Sequence, residues 1–142
     1  MRIKPVKYYL DHRIEILYTD NYKGYNYFII SYGTHPCAYV EIPKNHPYYG
    51  VNYMDIDDEI EVHGGLTYSS SGILLLHDTW VIGWDYAHCC DYSPYLADSN
   101  LKKWTTEEII EECKRVIVQL KNNGYRYPYN GRGGFTHEWS NI

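Results

Sequence analysis

Thr105-Thr106-Glu107-Glu108-Ile109-Ile110-Glu111-Glu112-Cys113-Lys114-Arg115-Val116-Ile117-Val118-Gln119-Leu120 is the stretch that decides the fold. Thr105 and Glu108 have the T-x-x-E spacing of a capping box, in which the hydroxyl accepts from a first-turn N–H and the carboxylate reaches back. Ile109, Cys113, Val116, Ile117 and Leu120 recur at i, i+4, i+7, i+8 and i+11, the spacing of one apolar helix face. Glu107, Glu111, Glu112, Lys114 and Lys121 fall on the other side, and Gly124 stands where a left-handed cap would end the helix. Burying five such side chains contributes on the order of 10 kcal/mol before entropy, at about 2 kcal/mol each. A helix over 105–122 must therefore lie on an apolar surface.

Strands upstream supply that surface. Arg13 to Thr19 alternates, Asp20-Asn21-Tyr22-Lys23-Gly24 is turn chemistry, and Tyr25 to Tyr32 is a second strand. Gly33-Thr34-His35-Pro36 turns the chain into a third, Cys37 to Ile42. Such short connections predict an antiparallel meander. After a Pro- and Gly-bearing loop, Asp57 to Val62 is expected to be a strand feeding into His63. Leu66 to Ser69 continues beyond the Gly64-Gly65 bend, and Thr79 to Asp85 is a buried strand. Cys89 to Lys103 is a loop, Gly72 to Leu76 is apolar enough to pair, and residues 1–12 show no clear period.

The expected architecture is α+β: one domain over 1–124, an antiparallel sheet of about five to seven strands with a C-terminal amphipathic helix on one face. Residues 125–142 form a tyrosine- and glycine-rich tail. It reads either as a free terminus or as an arm whose Arg126 and Arg132 reach a ligand or a neighbouring subunit.

Composition narrows the function classes. The 142 residues are 44% hydrophobic and 22% charged, a globular balance. Aromatics make up 17%, with 18 Tyr against 2 Phe. Tyrosine suits strands and wet interfaces alike. A net charge of −5 argues against binding long nucleic acid, which needs a basic footprint, while leaving room for a small phosphorylated ligand. No apolar run approaches the roughly 18 residues of a membrane span. Cys37, Cys89, Cys90 and Cys113, with no signal-peptide pattern, lead to the expectation of reduced thiols in a cytoplasm.

The chemistry concentrates in His63-Gly64-Gly65-Leu66-Thr67-Tyr68 and Gly83-Trp84-Asp85-Tyr86-Ala87-His88-Cys89-Cys90-Asp91. Glycines permit close approach of a ligand, and titratable groups beside apolar strands suit a pocket. His63 and His88 both adjoin strand ends and are expected to face one cavity. As acid and base they fit cleavage of a phosphodiester near neutral pH; as hydrogen-bonding groups they fit ligand contact or loop anchoring against Asp85 and Asp91. His88, Cys89, Cys90, Asp85 and Asp91 include metal-ligand types, yet no C-x-x-C or H-E-x-x-H spacing is present, and no metal is expected. A thiol nucleophile at Cys89 or Cys90 is disfavoured because neighbours on a strand point to opposite faces from His88. No dinucleotide, P-loop or G-x-S-x-G fingerprint occurs, so no cofactor is expected.

The segments Ala38-Tyr39-Val40-Glu41-Ile42-Pro43-Lys44-Asn45-His46-Pro47-Tyr48-Tyr49-Gly50, His63 to Tyr68, Trp80 to His88 with Asp91, and the Glu-rich helix after Trp104 resemble a family of small bacteriophage and prophage proteins. The resemblance covers roughly residues 36–122 and departs from the family's usual Phe at Trp84 and usual Cys at Tyr86. It implies a phage setting, and by class analogy a counter-defence role that sequesters or degrades a nucleotide messenger. The ligand-binding residues expected on this basis are His46, Tyr48, Tyr49, His63, Gly64, Gly65, Thr67, Tyr68, Trp84, Asp85, His88 and Asp91. Aromatic rings would stack on adenine, His and Thr would meet phosphates or ribose hydroxyls, and Gly64 and Gly65 would offer N–H donors. The leading expectation is a homo-oligomeric sponge in the host cytoplasm. Its competitors are a metal-independent hydrolase using His63 and His88, and an inhibitor that presents its tyrosine surface to a host protein.

Overall fold

Lys23 and Gly24 both take positive φ, 52° and 91°, the backbone that a two-residue type I′ hairpin turn requires. The turn is thus narrower than the polar run Asp20–Gly24 implies, and the strand before it runs on through Tyr22. The computed structural model describes residues 6–9, 12–72, 79–88, 90–93 and 100–126. Strands β1 (Val6–Tyr9), β2 (His12–Tyr22), β3 (Tyr25–Ser31) and β4 (Pro36–Ile42) form an antiparallel meander. β5 (Tyr68–Ser70) and β6 (Trp80–Asp85) complete one six-stranded sheet in the order β1-β2-β3-β4-β6-β5. β1 is the strand that the aperiodic N-terminus concealed.

Every pair is antiparallel, and β6 enters between β4 and the edge strand β5. The long connection over residues 43–67 carries the chain past β6 to that edge. Its acidic part is not a strand: Tyr53–Asp55 and Asp57–Glu59 are short 3-10 turns. Asn52 caps the first by accepting from Met54 N–H at 2.9 Å, and Asp57 accepts from Leu66 N–H at 2.7 Å. These local bonds outcompete strand pairing, while Ile56, Ile60 and Leu66 point into the core.

Helix α1 (Thr106–Arg126) packs on β2, β3 and β4. The capping box forms as expected: Glu108 N–H donates to Thr105 Oγ1 at 3.2 Å, and Thr105 N–H to Glu108 Oε1 at 3.0 Å. Ile109, Cys113, Val116, Ile117 and Leu120 are all buried against Tyr27, Ile29, Ala38, Val40, Ile42, Ile82 and Trp84. Gly124 does not end the helix, which continues to Arg126. It serves instead as the bare spot where the His46 ring rests: a Cβ there would lie 3.3 Å from His46 Cδ2 and Nε2.

The opposite sheet face has its own apolar layer of Ile14, Ile30, Cys37, Tyr39 and Val81. A bulge between Ile16 and Tyr18 reverses the alternation of β2. Ile14 and Ile16 join that second layer, whereas Leu17, Tyr18 and Tyr22 pack on the helix side. Gly83 sits in β6 between Tyr39 and Tyr68, whose rings meet edge-to-face at 5.5 Å above it. A Cβ there would fall 2.6 Å from the Tyr39 ring, so this glycine makes room for packing rather than for a ligand. No helix among the described residues is long and apolar enough to cross a membrane. The tail beyond Arg126, Cys89 and the apolar run from Ile73 lie outside the described residues.

Candidate functional site

Three polar residues on one stripe of α1 hold the 43–67 connection in place. Glu112 Oε2 accepts from His63 N–H at 3.3 Å, and Gln119 exchanges two bonds with the Glu61 backbone at 2.7 and 2.8 Å. Asn123 donates to Tyr48 Oη at 2.9 Å and to the Glu59 carbonyl at 3.2 Å. Glu112, assigned by its charge to the solvent side, is in fact buried; its other oxygen accepts from Tyr86 Oη at 3.2 Å. Tyr86 Oη in turn accepts from Trp84 Nε1–H at 3.0 Å. This chain of bonds fixes His63 and Tyr86 relative to the helix.

On that frame His63 and His88 come together, edge-to-face with ring centroids 5.5 Å apart. The His63 ring lies parallel to Tyr86 at 5.0 Å and against Trp104 at 4.8 Å. His63 Nε2 donates to Asp91 Oδ2 at 2.8 Å. Asp91 is only 3% exposed and also accepts from His88 N–H at 2.9 Å and Trp104 Nε1–H at 2.9 Å. Burial works to raise its pKa, but these donors outweigh it and hold the carboxyl below the ordinary aspartate range. Strand-like bonds from Lys102 N–H to Cys90 O and from Tyr92 N–H to Lys102 O bring Trp104 into reach.

His88 Nε2 lies 3.3 Å from Asp85 Oδ1, near it but off-angle for a hydrogen bond. Asp85 also accepts from Thr67 Oγ1 at 3.2 Å and from Ala87 N–H at 3.1 Å. Gly64, at φ +70°, lies directly under the His88 ring: a Cβ would fall 2.1 Å from Nε2. His63, Gly64, Thr67, Asp85, His88 and Asp91 therefore form one cluster, with the histidine side chains 22% and 33% exposed. Among the described residues no three His, Cys, Asp or Glu side chains converge as a metal site would need.

Four backbone donors of the glycine loop are spent internally. His63 N–H goes to Glu112, Gly65 N–H to Val62 O at 2.9 Å, Leu66 N–H to Asp57 and Thr67 N–H to Gly83 O at 2.9 Å. Gly65 thus offers no donor to a ligand. Trp104 and Tyr86 wall the cluster, and the sequence reading missed both in that role. Trp104's place before the capping box was the available signal, since the hinge into a helix is a fixed point.

Other expected binding residues lie elsewhere. His46 is buried: its Nε2–H donates to Leu120 O at 2.7 Å and its Nδ1 accepts from Tyr48 N–H at 3.0 Å. Tyr48 is buried with its hydroxyl between Asn123 and Glu59, and Tyr49 packs against the core. Leu120 is eight residues from Glu112, about 12 Å along the helix at 1.5 Å per residue, so His46 belongs to another part of the molecule. Tyr68 sits with Tyr39 on the opposite sheet face, and Trp84 is buried behind Tyr86.

The bonding at His46 fixes a neutral imidazole, and burial pushes its pKa down against the raising effect of the Leu120 carbonyl. A histidine depressed in this way contributes stability that is intact above its unfolded value near 6.5 and is lost as pH falls below it. Urea titrations at pH 7.5 and 5.5 are expected to show lower stability at the acid pH. His46→Gln should reduce that difference; an unchanged difference would remove His46 as its source.

No family model, curated protein or solved structure matches this chain.

Proposed function

We propose that this chain binds a small nucleotide-derived ligand, a cyclic nucleotide or ADP-ribose derivative, and sequesters it intact. The observation that carries this reading is the convergence of His63 and His88 with both Nε2 atoms turned to carboxylates. The two imidazoles supply ring nitrogens suited to hydrogen-bonding a ribose hydroxyl or an exocyclic amine. Thr67 and Asp85 extend the same polar edge, and the Trp104 ring beside His63 offers a face for a base to stack on. The resemblance to small phage proteins points to a counter-defence role in the host cytoplasm, exerted by a homo-oligomer.

One observation favours a second reading. An imidazole whose Nε2–H is held by a buried carboxylate has the orientation of a general base, with His88 beside it as the acid. That arrangement suits metal-independent phosphodiester hydrolysis.

Thermal-shift screening against cyclic dinucleotides and ADP-ribose derivatives tests both. A bound ligand at a hundredfold excess over Kd stabilises by about 2.7 kcal/mol. Heat-released ligand should be chemically unchanged, and His63→Ala or His88→Ala should weaken affinity about three- to tenfold, the worth of one lost hydrogen bond. Altered products, lost in both variants, would replace sequestration with hydrolysis. A panel in which no compound stabilises the protein would overturn both readings.

A further inference from the structure

Between the β3–β4 turn and the Lys102–Trp104 segment lies a cleft of about 210 Å³ that shares Tyr86 and Trp104 with the histidine cluster. We infer that this cleft is a binding site for the phosphoryl group of a small phosphorylated molecule.

Its charge is the first argument. The chain carries 18 acidic against 13 basic residues, yet among the described residues no acidic side chain lines the cleft, while Lys102, Lys103 and His35 do. The two lysines are not equivalent. Lys102 Nζ is neutralised by Glu108 at 2.6 Å and lies 4.7 Å from the Trp104 ring centroid. Lys103 Nζ lies over the Tyr92 ring at 5.1 Å and has no carboxylate partner among the described residues. It is a positive charge held at the cleft by an aromatic face, and a lysine ammonium is a suitable point charge for a phosphate.

The hydroxyls are the second argument. Ser31 Oγ accepts from Gly33 N–H at 3.2 Å, which leaves its own proton to donate. Thr34 Oγ1 and His35 Nδ1 are 2.8 Å apart, and that bond orients the imidazole at the cleft wall. Size sets the limit on the ligand. Sites for whole drug-sized ligands run from about 300 to 1,000 Å³, so this smaller space suits a phosphoryl group with a pentose rather than a dinucleotide.

The probe is ribose 5-phosphate, with ribose as the neutral control, titrated into the ¹⁵N-labelled full chain. Ribose 5-phosphate should shift the amides of Thr34, His35, Lys103 and Trp104 and the Trp104 indole N–H; ribose should not. Lys103→Glu should weaken the binding about tenfold or more, because it replaces an attracting charge with a repelling one. Lys114→Glu makes the same charge change outside the cleft and should retain affinity within about twofold, since screening suppresses distant charges. Equal shifts with ribose, equal losses in the two variants, or shifts that map away from the cleft would each overturn the assignment. His88 does not line the cleft. Failure here therefore leaves the nucleotide screen standing, and failure of that screen leaves this titration standing.

Discussion

Asp91→Ala is expected to lower the free energy of unfolding by about 3–5 kcal/mol, the cost of removing one partner from a buried charged network. The carboxylate accepts from the His63 ring, the Trp104 indole and the His88 backbone. Alanine leaves all three donors facing a gap, and each hydrogen bond to a charged acceptor contributes about 1.5–3 kcal/mol. Water reaches part of the half-buried histidine and tryptophan, which holds the total below the sum of three. The same substitution frees Trp104 and His63 from each other, so any affinity at the histidine cluster should disappear with it. Urea denaturation measures the first effect, and an alanine variant as stable as the parent would show that Asp91 does not hold this region.

Asp91→Asn separates charge from shape. It keeps one acceptor oxygen but aims an amino group at a donor, so a smaller loss of about 1–3 kcal/mol is expected at neutral pH. The pH profile carries more information. Because the Asp91 carboxyl is held below its ordinary value of 3.8, its contribution is complete above that pH and is lost as pH falls through the lowered folded value. The parent should therefore lose stability as pH falls below about 4 partly through this group, and the Asn variant should show a shallower acid limb. Parallel limbs would mean that another carboxylate governs acid unfolding.

How much of this was legible in the sequence depended on how local each signal was. The helix was readable because its cap and apolar stripe lie within one segment, and both formed. The central strands were readable by alternation. The bulge at Leu17 was not, because one extra residue reverses the facing of β2 without changing its composition. Glu112 read as solvent-facing because it is charged, and Gln119 and Asn123 gave no local signal; their partners, His63, Glu61 and Tyr48, lie dozens of residues away. His63, Thr67, Asp85, His88 and Asp91 stood out as titratable and polar groups beside glycines at strand ends, and the fold brings them together. His46 and Tyr48 were expected from the resemblance, yet they satisfy Leu120, Glu59 and Asn123 in the interior. Residue type announces a polar group, and only tertiary placement decides whether it faces a ligand or a neighbour.

Gly64→Ala should damage the cluster while leaving the fold largely intact. At φ +70° an alanine is strained by about 1–2 kcal/mol, and its methyl would overlap the His88 ring, 2.1 Å from Nε2 and 2.3 Å from Cδ2. The obstructing atoms are the end of a rotatable side chain, so the ring swings away rather than the backbone unfolding. Once displaced, His88 loses both Asp85 and its edge-to-face contact with His63. Ligand affinity in Gly64→Ala should then fall to that of His88→Ala, and the double variant should be no worse than either single one. Stability should behave differently: in the His88→Ala background the steric overlap is gone, and only the backbone strain of about 1–2 kcal/mol remains. Two affinity losses that simply add would mean that the methyl and the imidazole act independently, and Gly64 would then have no part in seating His88.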